Sequence, residues 1–106
     1  MSKLIMDIES WSSDWGKLNE SNMRKRLEDE GFSVITYSYS PGTYFSEHSH
    51  TVDKKDTVLS GKFKMTALGK KFILGPGDML LVPAGTIHTA EVIGDDSVIS
   101  LDATKY

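Results

Sequence analysis

The feature that most constrains this chain begins at Ser33. From there on, short runs rich in β-branched and aromatic residues alternate with polar ones, and Gly or Pro interrupts them at regular intervals. Side chains on a strand alternate between two faces, so such runs suit half-buried strands. The pattern predicts strands over residues 33–39, 44–50, 57–60, 62–68, 70–74, 79–82, 88–93 and 97–102. Ser40-Pro41-Gly42-Thr43 reads as a type II turn, with Pro second and Gly third. Gly75-Pro76-Gly77-Asp78 is the strongest turn signal, with Asp78 expected to bond the turn amides. Asp53-Lys54-Lys55-Asp56 reads as a polar connection, and Gly94-Asp95-Asp96 as a hairpin turn. Many short strands with frequent turns indicate an all-β sandwich or barrel.

The first 32 residues differ in character. Residues 3–8 are short and mostly apolar, as an edge strand would be. Trp11 and Trp15 sit among small polar residues, and their indoles are expected to cover a core edge. Residues 19–30 form the one convincing helix, capped by Asn19 or Ser21. Glu20/Arg24, Arg24/Glu28, Lys25/Asp29 and Arg26/Glu30 are opposite charges four residues apart, which face each other on a helix. Gly31 suits the left-handed position after the helix, letting Phe32 fold back onto Leu27. Only Met23 and Leu27 make an apolar stripe, so the helix should lie on the surface with one narrow packed face. Residues 1–32 thus read as an N-terminal strand, irregular segment and surface helix, and residues 33–106 as the barrel of a single domain.

Composition excludes several classes of function. At 106 residues one modest core is available. A net charge of −3 gives no bulk attraction to nucleic acid. The absence of cysteine rules out disulfides, thiolate metal sites and thiol nucleophiles. No apolar run approaches the ~20 residues of a membrane-spanning helix. The start lacks the pattern of a signal peptide, so a cytoplasmic location is expected.

Chemistry concentrates in the three histidines. His48 and His50 are two residues apart in an expected strand and should face one space. His88 follows Pro83-Ala84-Gly85-Thr86-Ile87. Together they can offer three imidazole nitrogens to one metal ion. Ser49 alternates away from the histidines and Asp102 lies far along the chain, giving no basis for a Ser-His-Asp triad. Of Tyr37, Tyr39, Tyr44, Phe45, Phe63 and Phe72, some should line the barrel and most should be core.

Gly42, five residues, His48-Ser49-His50 and later Gly61 match the first motif of the cupins, G-x5-H-x-H-x3,4-E-x6-G. Gly77, five residues, Pro83-Ala84-Gly85, two residues and His88 match the second, G-x5-P-x-G-x2-H-x3-N. The chain therefore resembles a small single-domain cupin. The resemblance implies a jelly-roll β-barrel holding one divalent metal (Fe, Mn, Zn, Ni or Cu) on His48, His50 and His88. It also implies homodimerisation and a small organic substrate or ligand, while charge and hydropathy give the expectation of no nucleic-acid or membrane partner. Two positions depart from the pattern: Lys54 stands where the family has its ligand Glu, and Val92 where it has Asn. An ammonium cannot ligate a metal as a carboxylate does. By strand parity Lys54 and Asp56 share the inward face with the histidines. Asp56 could pair with Lys54 or approach the metal through water, and Asp53 could reach inward only through a bulge. Lys54 could hold a substrate carboxylate, donate a proton, or form a salt bridge to Asp53 or Asp56. Two functions follow: a metal-dependent enzyme of dioxygenase or isomerase type, or a non-catalytic small-ligand module with a weakened metal site.

Overall fold

A computed structural model describes residues 6–106. Among the described residues nine strands and one α-helix, besides a short 3-10 turn at Ser13–Trp15, run in the order β1 (Ile8–Ser10), α1 (Glu20–Asp29), β2 (Ser33–Tyr39), β3 (Tyr44–His48), β4 (Asp53–Thr57), β5 (Lys62–Ala67), β6 (Lys70–Leu74), β7 (Asp78–Val82), β8 (His88–Ile93) and β9 (Val98–Lys105). They form two antiparallel sheets, one ordered β1-β7-β4-β9-β2 and the other β3-β8-β5-β6. This is the expected jelly-roll barrel with one short N-terminal helix.

The helix is set by its two ends. Asn19 Oδ1 accepts from the Asn22 amide at 2.8 Å, satisfying one of the amides the first turn leaves free. At the other end Gly31 takes φ +95°. The Phe32 amide then donates to Leu27 O at 3.0 Å and the Gly31 amide to Glu28 O at 2.9 Å, which closes a Schellman motif. Met23 and Leu27 are fully buried against Phe32, Met79, Leu101 and Ala103 on the outer face of the five-stranded sheet. Trp11 and Trp15 meet edge to face at 5.3 Å beside that cluster. A second core fills the space between the sheets, built on Val58, Phe63, Met65, Leu74, Leu80, Val82 and Val98.

Several expectations need correction. Of residues 3–8, Lys3, Leu4 and Ile5 lie outside the described residues, and the first strand runs over Ile8–Ser10. Arg24 pairs with Glu20 at 3.5 Å but not with Glu28. Its guanidinium instead reaches Val34 O at 2.9 Å and Thr36 Oγ1 at 2.8 Å, tying the helix to β2. Asp53-Lys54-Lys55-Asp56 is not a connection: it forms β4, in the middle of the five-stranded sheet. Its charges disguised it, because both of its faces carry polar business. Outward, Lys55 is 9% exposed and donates to Glu9 at 2.8 Å and Glu30 at 3.0 Å. Burial pulls that ammonium's pKa down, but the two carboxylate partners prevail and hold it raised. Inward, Lys54 and Asp56 face the barrel interior. Val58, expected in a strand, follows β4 and is fully buried. Gly94-Asp95-Asp96 is not a hairpin turn either, since β8 and β9 belong to different sheets. It carries the chain across the barrel, as Ser40-Pro41-Gly42-Thr43 does between β2 and β3.

Candidate metal centre

The four-stranded sheet and the segment that follows β3 bring the three histidines together. His48 ends β3 and lies directly opposite His88, which begins β8, in the antiparallel register. Cross-strand partners share a face, so their rings meet with centroids 4.2 Å apart. His50 is not on the strand as expected, because β3 ends at His48 and its register is already irregular between Phe45 and His48. The loop before β8 holds it instead. The Gly85 amide donates to His50 O at 2.8 Å, and the Ala84 amide donates to Asp53 Oδ1 at 2.8 Å. Pro83-Ala84-Gly85 thus braces the chain segment that carries His50. The His50 ring lies 5.0 Å from that of His48 and 5.3 Å from that of His88.

One ring nitrogen from each histidine lies within 4.8 Å of the other two. The hydrogen bonds assign which nitrogens are free on two of them. His48 Nδ1 lies 2.6 Å from Ser46 O, and His88 Nδ1 lies 2.9 Å from Thr86 O. A carbonyl only accepts, so each Nδ1 carries the proton in the neutral ring, and Nε2 is left with a bare lone pair. This is how proteins orient imidazoles for a metal. Burial pushes His50 below its ordinary value of 6.5, reinforced by His48, His88 and Lys54 and opposed by Asp102. Burial also lowers His88, against the bond to Thr86 and together with His48. Neutral rings are the state a metal requires. The donor set therefore fits one divalent cation.

The histidines open onto a pocket of about 300 Å³ inside the barrel. Phe45, Phe63, Met65 and Ala90 form one side, with Tyr37 and Tyr39 on the other. Tyr39 meets Phe45 edge to face at 5.1 Å and stacks on Phe63 at 5.7 Å. Its hydroxyl pKa is raised above the usual range, first by burial and then by the charges of Asp102 and Asp56. Tyr44 is 59% exposed and Phe72 is buried in the core, so neither lines the pocket.

Lys54 and Asp56 line this pocket, as parity implied. The expected salt bridge from Lys54 to Asp53 or Asp56 is not made. Lys54 Nζ donates to Asp102 Oδ2 at 3.0 Å and to Thr104 Oγ1 at 2.7 Å. Asp102 is the site residue that sequence reasoning missed. In the sequence its position far along the chain excludes only a triad, and it lies 48 residues from Lys54. Sheet pairing makes it the direct partner of Asp56, because β9 runs beside β4. The usable signal was parity within β9: Leu101 and Ala103 are apolar and face the helix, which turns Asp102 inward. Asp102 Oδ1 is buried and has no hydrogen-bond partner among the described residues. Burial and the neighbouring Asp102 raise the Asp56 carboxyl from an ordinary 3.8 to about 7, with Lys54 opposing.

Comparison with known proteins agrees with this architecture. The profile of the cupin domain family matches residues 35–104. The chain belongs to that family. Germin-like protein subfamily T member 3 of Arabidopsis thaliana is 31% identical over 74 residues, covering 64% of this chain and 33% of that protein. The chain thus spans only about a third of that relative's length. Among solved structures, acireductone dioxygenase from Bacillus anthracis, with a cadmium ion in its active centre, superposes with a TM-score of 0.76 at 21% identity. That match covers 95% of this chain and 78% of the other. KdgF from Halomonas sp. matches with a TM-score of 0.62 at 25% identity, covering 72% of this chain and 71% of that one. Among the described residues, no helix is long and apolar enough to cross a membrane.

Proposed function

We propose that this protein is a small metal-dependent cupin that holds one divalent cation on His48, His50 and His88 and acts on a small organic molecule in the adjoining pocket. The carrying observation is the tethering of two ring Nδ1 atoms to Ser46 O and Thr86 O, which leaves Nε2 free on both rings, in a cluster where each of the three imidazoles offers a nitrogen within 4.8 Å of the other two. A divalent ion bound there would supply Lewis acidity, or redox chemistry if it is iron, manganese or copper. The chain's own residues do the rest. The aromatic side chains around Tyr39 exclude water and stack on a flat ligand face. Asp56, with its raised pKa, can hold or release a proton near neutral pH within the same pocket. Lys54 is neutralised by Asp102, so it does not place an uncompensated cation beside the metal.

The substitution of Lys54 for the family's Glu leaves three neutral ligands and no anionic one. A non-catalytic ligand-binding module is the second reading, and this missing carboxylate is the observation that favours it. Elemental analysis separates absence of metal from its presence, on untagged protein purified without chelators. Near-stoichiometric iron, manganese, copper, nickel or zinc is expected. Absence of metal, persisting after an attempt to reload each ion, would refute the metal-dependent reading and favour the second.

A further inference from the structure

The barrel interior has two polar regions, and only one of them is used by the histidine site. The other is the wall formed by Lys54, Asp56 and Asp102, contributed by the neighbouring strands β4 and β9 of the five-stranded sheet. Lys54 satisfies one oxygen of Asp102 at 3.0 Å. The other oxygen, Oδ1, is buried without a donor among the described residues. Buried acceptors are nearly always paired, so a lone one on a pocket-lining residue points to a donor that the chain itself does not supply. Asp56 lies directly across from Asp102 in the strand register and adds a second carboxyl to the same wall.

We propose that Asp102 Oδ1 and the Asp56 carboxyl form a subsite that accepts a hydrogen bond from a neutral hydroxyl group of the ligand, making Asp102 a specificity-determining residue. The inference rests on reading the pocket as a ligand site, but not on the metal. Lys54 supplies the cation of this wall, so a neutral donor at Oδ1 meets no repulsion where a second ammonium would. Lys54 is already seated between Asp102 and Thr104, and an ammonium brought to Oδ1 would meet its repulsion. The aromatic side chains of Tyr39, Phe45 and Phe63 add a flat, apolar surface to the same pocket. The ligand class this selects is a small hydroxylated molecule with a flat or ring-shaped body, its hydroxyl on the Asp102 wall.

Matched probes test this on metal-free protein in the presence of EDTA, so that the histidine reading and this one fail separately. Phenol, anisole and benzylammonium differ in whether they carry a neutral donor, none, or a cationic one. Binding is followed by NMR titration of the full chain, with amide shifts locating each probe. A hydroxyl bonded to a carboxylate should favour phenol over anisole by about tenfold or more. Phenol should shift Asp56 and Asp102, and benzylammonium should bind no better than anisole. Asp102→Asn should pull the phenol-to-anisole ratio toward one. Lys54→Met, which leaves the Asp102 carboxylate in place, should keep or raise that ratio. Equal binding of phenol and anisole, no binding of phenol in the pocket, or preference for benzylammonium would overturn the proposal. So would a ratio kept in Asp102→Asn and lost in Lys54→Met, which would assign the hydroxyl to the ammonium.

Discussion

Asp56→Asn should stabilise this protein at alkaline pH and leave it almost unchanged in acid. Asp56 has a carboxyl pKa of about 7 in the folded chain against an ordinary 3.8, chiefly from burial and then from Asp102 across the strand pair. A carboxyl whose folded pKa is raised binds more protons folded than unfolded, so its contribution to stability falls as pH rises. That contribution is intact below about pH 4 and is lost progressively up to about pH 7. A shift of roughly three units corresponds to a ceiling of about 4 kcal/mol. Side-chain relaxation and water entry reduce this, and about 2 kcal/mol is a reasonable expectation. Asparagine reproduces the shape of the neutral carboxyl without its ionisation. The assay is denaturant unfolding of both proteins with EDTA present, at pH 4 and at pH 8. The difference between the two proteins isolates Asp56, because His50 and His88 titrate in both. The variant should be within about 0.5 kcal/mol of the parent at pH 4 and about 2 kcal/mol more stable at pH 8. For a domain of this size that is a rise in Tm on the order of ten degrees. A variant less stable than the parent at pH 8 would show that the Asp56 carboxylate is stabilising, and would refute the assignment of burial and Asp102 as the dominant influences.

Lys54→Glu should tighten divalent metal binding, since it restores a carboxylate at the position where the family motif has its ligand. It should also destabilise the metal-free protein by setting a third carboxylate beside Asp56 and Asp102. Calorimetric titration with Zn²⁺ checks the first effect, and weaker or unchanged affinity would show that position 54 does not reach the ion. Gly61→Ala should destabilise strongly, because a Cβ there would lie 2.4 Å from Ser97 O on a backbone at φ +87°. A thermal melt unchanged from the parent would count against that close approach. Leu27→Ala should cost about 2–5 kcal/mol by emptying a fully buried site between helix and sheet, as denaturant unfolding would show. A homodimer is expected from family habit, and a monomer by sedimentation velocity would contradict it.

Sequence was most informative where one rule acts alone. The Schellman ending of the helix follows from Gly31 and Phe32 because no other residue type suits that backbone so well. The two glycine-bounded motifs located all three histidines, and Gly61 in the first of them is required by the backbone of Ser97. Sequence was least informative where tertiary context reverses a local preference. β4 reads as a loop because Lys and Asp are poor strand formers, yet its ladder bonds to β7 and β9 and its ion pairs to Glu9, Glu30 and Asp102 hold it extended. Parity within β9 turns Asp102 inward, but its meeting with Lys54 and Asp56 is a property of sheet order, which pairs strands far apart in the chain. His50 shows an intermediate case. Its proximity to His48 was legible, but the brace from Gly85 that replaces the missing strand depends on a loop many residues away.

In the proposed site three imidazoles, two of them tethered by backbone carbonyls, share one cation. The most direct measurement is long-range nitrogen–proton NMR of the histidine rings during a Zn²⁺ titration. His48 and His88 should carry their proton on Nδ1 before any metal is added. The Nε2 signals of those two rings, and one nitrogen of His50, should then shift together and saturate at one equivalent. Protonated Nε2 atoms in the free protein, or rings that respond independently and without saturation, would contradict the shared site.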